Sequence, residues 1–368
     1  MKPKIIHFID SFSKGGAEVL LAGIIPYFEE YTHYIIYLTP TQHSLKHLLP
    51  EDIHIECLNY KGLKNIFSTL SIIRQRFKEI NPDIIHTHLI FSTLFTRLLL
   101  PENTRLITSY HGAYYRVHYI TKSARIKRSI LCFIDRLSYK KDFVIIHASR
   151  YLQLVNDKDV GISNSTVLYN YVEDRYFKHS GKGYIGRRGT HLSLIAVGNL
   201  KTEKNYILIL QAIKQVKHIP LTLEIYGEGI DRSMLQQYIN DNALPVTLKG
   251  GVDAIEELLP LYDLFIQAST VEGFGISVAE AMAIGIPVLL SDIDTFKEIT
   301  DNKALFFTNM DSLNLAKKIE ELYHQPSLMM HSVEACLSTA QRYKKYYYLE
   351  RLRSLYAEQL SIKNKRPE

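Results

Sequence analysis

VEGFGISVAEAMAIGIPVLLSD, residues 271–292, joins a glycine-rich turn, a small-residue helix and an apolar run in 22 residues. Glu272 and Glu280 bracket a glycine-rich turn that runs from Gly273 through Phe274 and Gly275 to a helix start at Ile276. Small residues continue the helix. After Pro287, Val288 to Leu290 form an apolar run of buried-strand type. A helix start offers unpaired N–H groups and the positive end of the helix dipole, so it suits an anion such as a diphosphate. Glycine lets the backbone approach a ligand closely. Two carboxylates at one helix start are electrostatically awkward unless hydroxyls or cations occupy them. A sugar nucleotide brings phosphates for the amides and ribose and hexose hydroxyls for the acids. The bare E-x7-E spacing also fits a Gly-capped helix with two solvated glutamates, so the flanks must decide.

Upstream, Asp263 to Gln267 reads as a strand that leads through Ala268-Ser269-Thr270 into the turn. The second half of the chain opens with a buried-strand pattern, Leu192 to Val197. Gly198-Asn199-Leu200-Lys201-Thr202-Glu203-Lys204-Asn205 follows, then a helix to about Lys217. Lys204, near a helix start, can hold a phosphate as a point charge or can simply be solvated. Leu221 to Tyr226 is the next strand and ends in Gly227-Glu228-Gly229. Val246 to Leu248, with Gly250-Gly251-Val252, is a further strand and turn, and Ala304 to Phe307 is the last.

In the first half, Lys4 to Ile9 reads as a strand. The loop from Asp10 to Gly16 and an apolar helix from about Ala17 to Phe28 follow. A strand, glycine loop and helix in succession is how α/β domains bind nucleotides or phosphates. Gly15-Gly16 lacks the G-x-G-x-x-G spacing, so a dinucleotide fingerprint is not supported, and a tight turn is the simpler reading. Strand-like segments recur at residues 33–38, 53–58, 83–87, 105–110, 143–148 and 166–169, with helical segments between most of them. That alternation implies a mostly parallel sheet with helices on both faces. Ligands then gather at the carboxyl ends of the strands. His86 and His88 fall there, two apart and so on one face, as a metal pair without an evident third ligand. His111 ends the next strand, just before Gly112.

Glycine-rich, polar residues 179–190 break this rhythm and read as a linker. The expected organisation is a first domain over 1–178, the linker, a second domain over 191–342 and a C-terminal helix over 343–368. An apolar share of 46% and a charged share of 22% are those of a soluble globular protein. No apolar run approaches the ~20 residues of a membrane-spanning helix. MKPKIIHFID lacks a signal peptide's long apolar core, so a cytoplasmic location is expected, with peripheral attachment to the inner membrane face left open. Cys57, Cys132 and Cys336 have no C-x-x-C spacing, and reduced thiols are expected.

The net charge of +6 is uneven. Residues 1–178 hold 23 basic and 16 acidic residues, and the remainder holds 21 and 22, so the excess lies in the first half. Within it, residues 114–141 carry Arg116, Lys122, Arg125, Lys127, Arg128, Arg136, Lys140 and Lys141 against only Asp135. Ile126, Ile130, Leu131, Phe133, Ile134 and Leu137 give the same stretch an apolar stripe at helical spacing. Two readings remain: a basic amphipathic helix on an anionic membrane, or a helix with its apolar face in the core. No motif accompanies the charge to suggest nucleic acid.

The opening stretch and its flanks resemble the signature of retaining glycosyltransferases of family 4. Gly15-Gly16-Ala17-Glu18, His111-Gly112, Val197-Gly198 to Asn205 and Tyr226-Gly227-Glu228-Gly229 fall in that family's order and spacing. The resemblance implies the α/β GT-B fold: two Rossmann-like domains facing across a nucleotide-sugar cleft, with the final helix crossing back to the first domain. It implies transfer of a hexosyl group, with retention and without a metal or cofactor, from a nucleotide-diphosphate sugar, UDP being the commonest. The acceptor implied is a hydroxyl of a saccharide or lipid-linked saccharide in surface polysaccharide assembly.

The family's donor site maps onto Gly15, Gly16, Asn199, Lys204, Gly227, Val252, Glu272, Gly273, Phe274, Gly275, Ile276 and Glu280. His111, Lys204 and Glu272 take the catalytic roles. Glu280 is expected on the ribose diol, Glu272 on the sugar hydroxyls, and Lys204 on the diphosphate. Members usually carry arginine where this chain has Asn199, which removes one charge-assisted contact. A catalytically silent partner protein and an epimerase on the same fold are the alternatives.

Overall fold

In the computed structural model of the protein, residues 2–13, 15–41, 45–115, 122–178 and 190–363 are described. Most of the expected linker, the Arg116 end of the basic stretch and the last five residues lie outside them. The chain forms two compact units, one of residues 1–170 with 346–368 and the other of residues 171–345.

The first unit is built on a seven-stranded sheet in the order β3-β2-β1-β4-β5-β6-β7. Its strands are β1 (Lys4–Ile9), β2 (Thr32–Tyr37), β3 (His54–Cys57), β4 (Ile84–His88), β5 (Arg105–Tyr110), β6 (Val144–His147) and β7 (Ser165–Val167). Every pairing is parallel. The order reverses beside β1, so β1 and β4 are neighbours and their carboxyl ends form a switch point of the kind at which α/β proteins bind ligands. Strands β1, β4 and β5 are buried on both faces; β1 reads as a near-continuous apolar run, whereas β4 and β5 also bury polar residues such as His86, His88 and Ser109. One face packs Ile6, Phe8, Ile36, Ile85, Leu106 and Ile145 under helices. The other face is more polar, and the last helix, Lys345–Lys363, contributes Tyr356 to it. The Tyr356 ring meets those of Phe28, Tyr31 and His86 edge-on, with centroids 5.7 Å apart in each case.

The second unit carries a six-stranded sheet in the order β10-β9-β8-β11-β12-β13. These strands are β8 (Leu192–Val197), β9 (Leu221–Tyr226), β10 (Val246–Gly250), β11 (Leu264–Gln267), β12 (Val288–Ser291) and β13 (Leu305–Phe307), all parallel. Leu194, Ala196, Leu223, Ile225, Ile266 and Leu289 form its core with the Tyr206–Gln215 and Ser312–His324 helices. The opening stretch is the β11 exit loop, the Ile276–Ile284 helix and β12. Its helix is almost wholly apolar and mostly buried. Such a helix has to sit inside a layer, and it packs against β11, β12 and the Ser327–Ala340 helix. Gly285, at φ +88°, ends it in the left-handed conformation that glycine adopts without steric cost.

Candidate active site

Gly275 lies at φ +87° and ψ +60° and turns the chain into the Ile276–Ile284 helix. A Cβ there would stand 2.8 Å from the Phe296 ring as well as in a strained conformation, so only glycine fits. No side chain caps this helix. The Val278 and Ala279 amides both donate to the Gly275 carbonyl oxygen, at 3.0 and 3.1 Å. The Ile276 and Ser277 amides find no acceptor among the described residues. The first amides of the helix are thus left without an acceptor from the described chain. Phe274 is buried and packs edge-on against Tyr343, with centroids 5.0 Å apart. It shapes the turn from beneath.

Glu272 is half-buried just before this turn. Its carboxylate accepts from the Ser269 hydroxyl at 2.8 Å and forms an ion pair with the Lys204 ammonium. The Gln267 amide in turn donates to Ser269 Oγ at 2.9 Å. Lys204 comes from the short helical turn Thr202–Lys204 that follows β8, so β8 and β11, which are sheet neighbours, bring the pair together. Both residues were expected to meet a donor, the lysine on its phosphate and the glutamate on its sugar. The structure pairs them with each other. Asn199 is exposed, and its side chain makes no hydrogen bond among the described residues.

Gly227 and Gly229 pack against backbone. A Cβ on Gly227 would lie 2.0 Å from the Gly198 carbonyl oxygen, and one on Gly229 would lie 2.2 Å from that of Leu200. These glycines let the β8 and β9 exit loops touch, and so hold the Gly198–Lys204 segment in place. Val252 is exposed after β10.

Glu280 lies further along the helix and is also half-buried. It was expected as an ionised acceptor for a ribose diol. It accepts instead from the Tyr176 hydroxyl. Burial pushes its carboxyl up to about 7, against the pull of Tyr176 and Arg175, while Glu256 and Glu173 add to the rise. Arg175 pairs with Glu256 at 3.2 Å. Tyr176, Arg175 and Glu256 were not singled out in the sequence. Tyr176 and Arg175 sit on the five-residue helix Asp174–Lys178, which packs on the Ile276–Ile284 helix. The only signal available was that Glu280, in so apolar a helix, needs a polar partner.

On the first unit, Gly15 caps the Gly16–Ile24 helix, but the space beside it is taken. The Glu18 carboxylate lies where a Cβ of Gly15 would be, and it accepts from Ser11 Oγ at 2.6 Å. The Gly15-Gly16 loop, expected to approach a phosphate, thus already holds a carboxylate of its own chain. Asp10, on the β1 exit, accepts from the Ser92 and Phe91 amides at 2.7 and 3.1 Å and so caps the Ile90–Leu99 helix. His111 Nε2 lies 3.3 Å from His88 Nδ1. Burial lowers the His111 imidazolium to about 4, so the ring is neutral near pH 7. Its Nδ1 is buried without a partner among the described residues.

The family model described as Glycosyltransferase Family 4 matches residues 14–175, and that described as Glycosyl transferases group 1 matches residues 185–342. The O-antigen biosynthesis glycosyltransferase WclY of Escherichia coli is 24% identical over 339 residues, 86% of this chain and 89% of its own. The UDP-N-acetylglucosamine–peptide N-acetylglucosaminyltransferase GtfA subunit of Streptococcus pneumoniae is 31% identical over 150 residues. That match covers 37% of this chain and only 30% of the relative's length. Among solved structures, Anabaena Alr3699/HepE in complex with UDP and glucose superposes with a TM-score of 0.80 at 17% identity, over 97% of this chain and all of that one.

Proposed function

The chain belongs to the family 4 glycosyltransferases of the GT-B fold, and from that premise we propose that it moves a hexosyl group from a UDP-sugar to a saccharide or lipid-linked saccharide hydroxyl in surface polysaccharide synthesis. The observation that carries this reading is the uncapped start of the Ile276–Ile284 helix, with the Lys204 ammonium and Glu272 carboxylate immediately before it. The hard part of the reaction is charge. The sugar becomes oxocarbenium-like while a diphosphate leaves, and preorganised donors at the leaving group supply the main stabilisation. The Ile276 and Ser277 amides and Lys204 are such donors.

As the donor enters, Lys204 exchanges Glu272 for phosphate, and Glu272 takes up sugar hydroxyls and orients the anomeric carbon. The exchange leaves neither charge uncompensated. With cationic and amide donors in place the transfer runs without a metal, and attack on the leaving-group face retains configuration. UDP is taken as the nucleotide because a relative is named for UDP-N-acetylglucosamine and a protein of the same fold was solved with UDP. Surface polysaccharide is taken as the setting because a relative spanning most of the chain is named for O-antigen synthesis.

The acceptor's class is supported by the Lys122–Ser138 helix. Ile126, Ile130, Phe133, Ile134 and Leu137 are between 43% and 70% exposed, so its apolar stripe faces outward. Arg125, Lys127 and Arg136 are exposed on the same helix. Its one acid, Asp135, is buried, pairs with Arg97 and accepts from Tyr110 and Tyr115 at 2.6 and 2.7 Å. A helix held by an inward acid, with apolar and basic residues outward, suits an anionic membrane surface and an acceptor anchored in it.

Thermal shifts with UDP-, GDP- and TDP-sugars test the donor, since a specific ligand stabilises by mass action. UDP-sugars should raise Tm, and UDP release should be measurable. In Lys204→Ala and Glu272→Ala, kcat/KM should fall about 10²-fold or more with Tm little changed. No stabilisation by any nucleotide sugar, or near-wild-type activity in both folded variants, would refute the assignment. Product analysis with and without acceptor separates transfer from epimerisation.

A further inference from the structure

Three histidines of the first unit meet on one sheet face. His7 on β1 stands opposite His86 on β4, and His88 follows two residues later on the same strand. Period-two alternation puts all three side chains on one side of the sheet. All are buried. The His86 and His88 ring centroids are 4.2 Å apart, and that of His7 lies 5.8 and 6.0 Å from them. One ring nitrogen from each lies within 4.8 Å of the others.

The hydrogen bonds around the cluster determine one of the lone pairs. His33 Nε2 faces the Phe28 carbonyl oxygen at 3.0 Å, which can only accept, so His33 carries its proton there. A neutral His33 then accepts at Nδ1, 3.0 Å from His7 Nε2, so His7 donates through Nε2. A neutral His7 is left with its lone pair on Nδ1, which is buried without a partner among the described residues. His88 is held through Nδ1 by His111 Nε2 at 3.3 Å, and its Nε2 is buried and likewise without a partner. His86 touches two hydroxyls, Tyr356 at Nδ1 (2.7 Å) and Ser109 at Nε2 (2.8 Å). Two buried, unpartnered ring nitrogens in a group of three, each ring fixed through its other nitrogen, is the arrangement in which outer partners orient metal-binding imidazoles.

We propose that His7, His86 and His88 form a binding site for one borderline transition-metal ion of the zinc or cobalt kind. Neutral imidazoles select such ions over Mg²⁺ or Ca²⁺, which require oxygen. Tetrahedral Zn–N bonds of about 2.0–2.1 Å put ligand atoms about 3.4 Å apart, so the ligand atoms, now within 4.8 Å of one another, close by at most about 1.4 Å on binding. His86 exchanges the Ser109 hydroxyl for the metal and keeps that of Tyr356. The ion ties β1 to β4 and, through His86 and Tyr356, to the last helix. It takes no part in the phosphate chemistry proposed for Lys204 and the Ile276 helix start, and its test is independent of activity.

The whole chain, stripped with a chelator and then freed of it, is titrated with Co²⁺. The expected result is an intense visible absorption of tetrahedral type that saturates at one equivalent, is displaced by Zn²⁺, and accompanies a rise in Tm. His7→Asn and His88→Asn should each weaken binding at least tenfold, while His54→Asn, on an exposed histidine, should leave it unchanged. Wild-type protein that shows no such absorption, or only the weak spectrum of an octahedral ion at several equivalents, overturns the proposal whether or not the variants fold. A full signal in folded His7→Asn or His88→Asn overturns it too.

Discussion

Glu280 has a carboxyl pushed up to about 7, so its titration falls near neutral pH. A carboxyl raised in the folded state stabilises when protonated. Its contribution is complete below its unfolded value, near 4.3, and is lost as pH rises through about 7. Glu280→Gln keeps the neutral shape and the Tyr176 contact. Its Tm should therefore stand further above that of the wild type at pH 8 than at pH 5. If Glu280 holds the ribose diol as an anion, UDP affinity of the wild type should strengthen as pH rises through 7 and that of Glu280→Gln should stay flat. A Tm difference that does not change with pH would remove Glu280 from this role. The E-x7-E pair was legible because both acids lie in one short stretch. Tyr176 and Lys204 were not legible as their partners, because distant loops bring them there. His86 and His88 were legible as a pair, and His7 joins them only once β1 and β4 are known to be neighbours.

At the level of elements, the strands were easy and the direction a helix faces was not. Each segment read as a strand is a strand of one of the two sheets, and parallel strands buried on both sides leave such a trace in composition. The Lys122–Ser138 helix shows the limit. Its periodicity gives a stripe but not whether that stripe meets the core or the solvent, and the answer came from Asp135, which turns inward to Arg97, Tyr110 and Tyr115. Full insertion of a large apolar side chain in lipid is worth about 1.5–3 kcal/mol, and a basic residue near an anionic surface about 1 kcal/mol. The chain should therefore pellet with anionic vesicles at low salt, less at high salt. The double variant Ile130→Asp/Phe133→Asp should partition about 10²-fold more weakly. Wild-type protein that stays in the supernatant at low salt would leave this face without a lipid partner.

At the level of the whole molecule, the two sheets differ in how their chain is supplied. The second unit is one continuous segment, whereas the first takes residues 346–363 from beyond it. Tyr356, through its contacts with Phe28, Tyr31 and His86, fills a place on the first sheet that no nearer residue occupies. A ribosome therefore finishes the later half of this protein before it delivers the last piece of the earlier half. The usual amino-to-carboxyl order of maturation should be inverted, with protease resistance of residues 171–345 on stalled nascent chains appearing before that of residues 1–170. Until the final helix emerges, the histidine-bearing sheet face has to wait uncovered, and a chaperone that shields it during that interval would raise the yield of native protein.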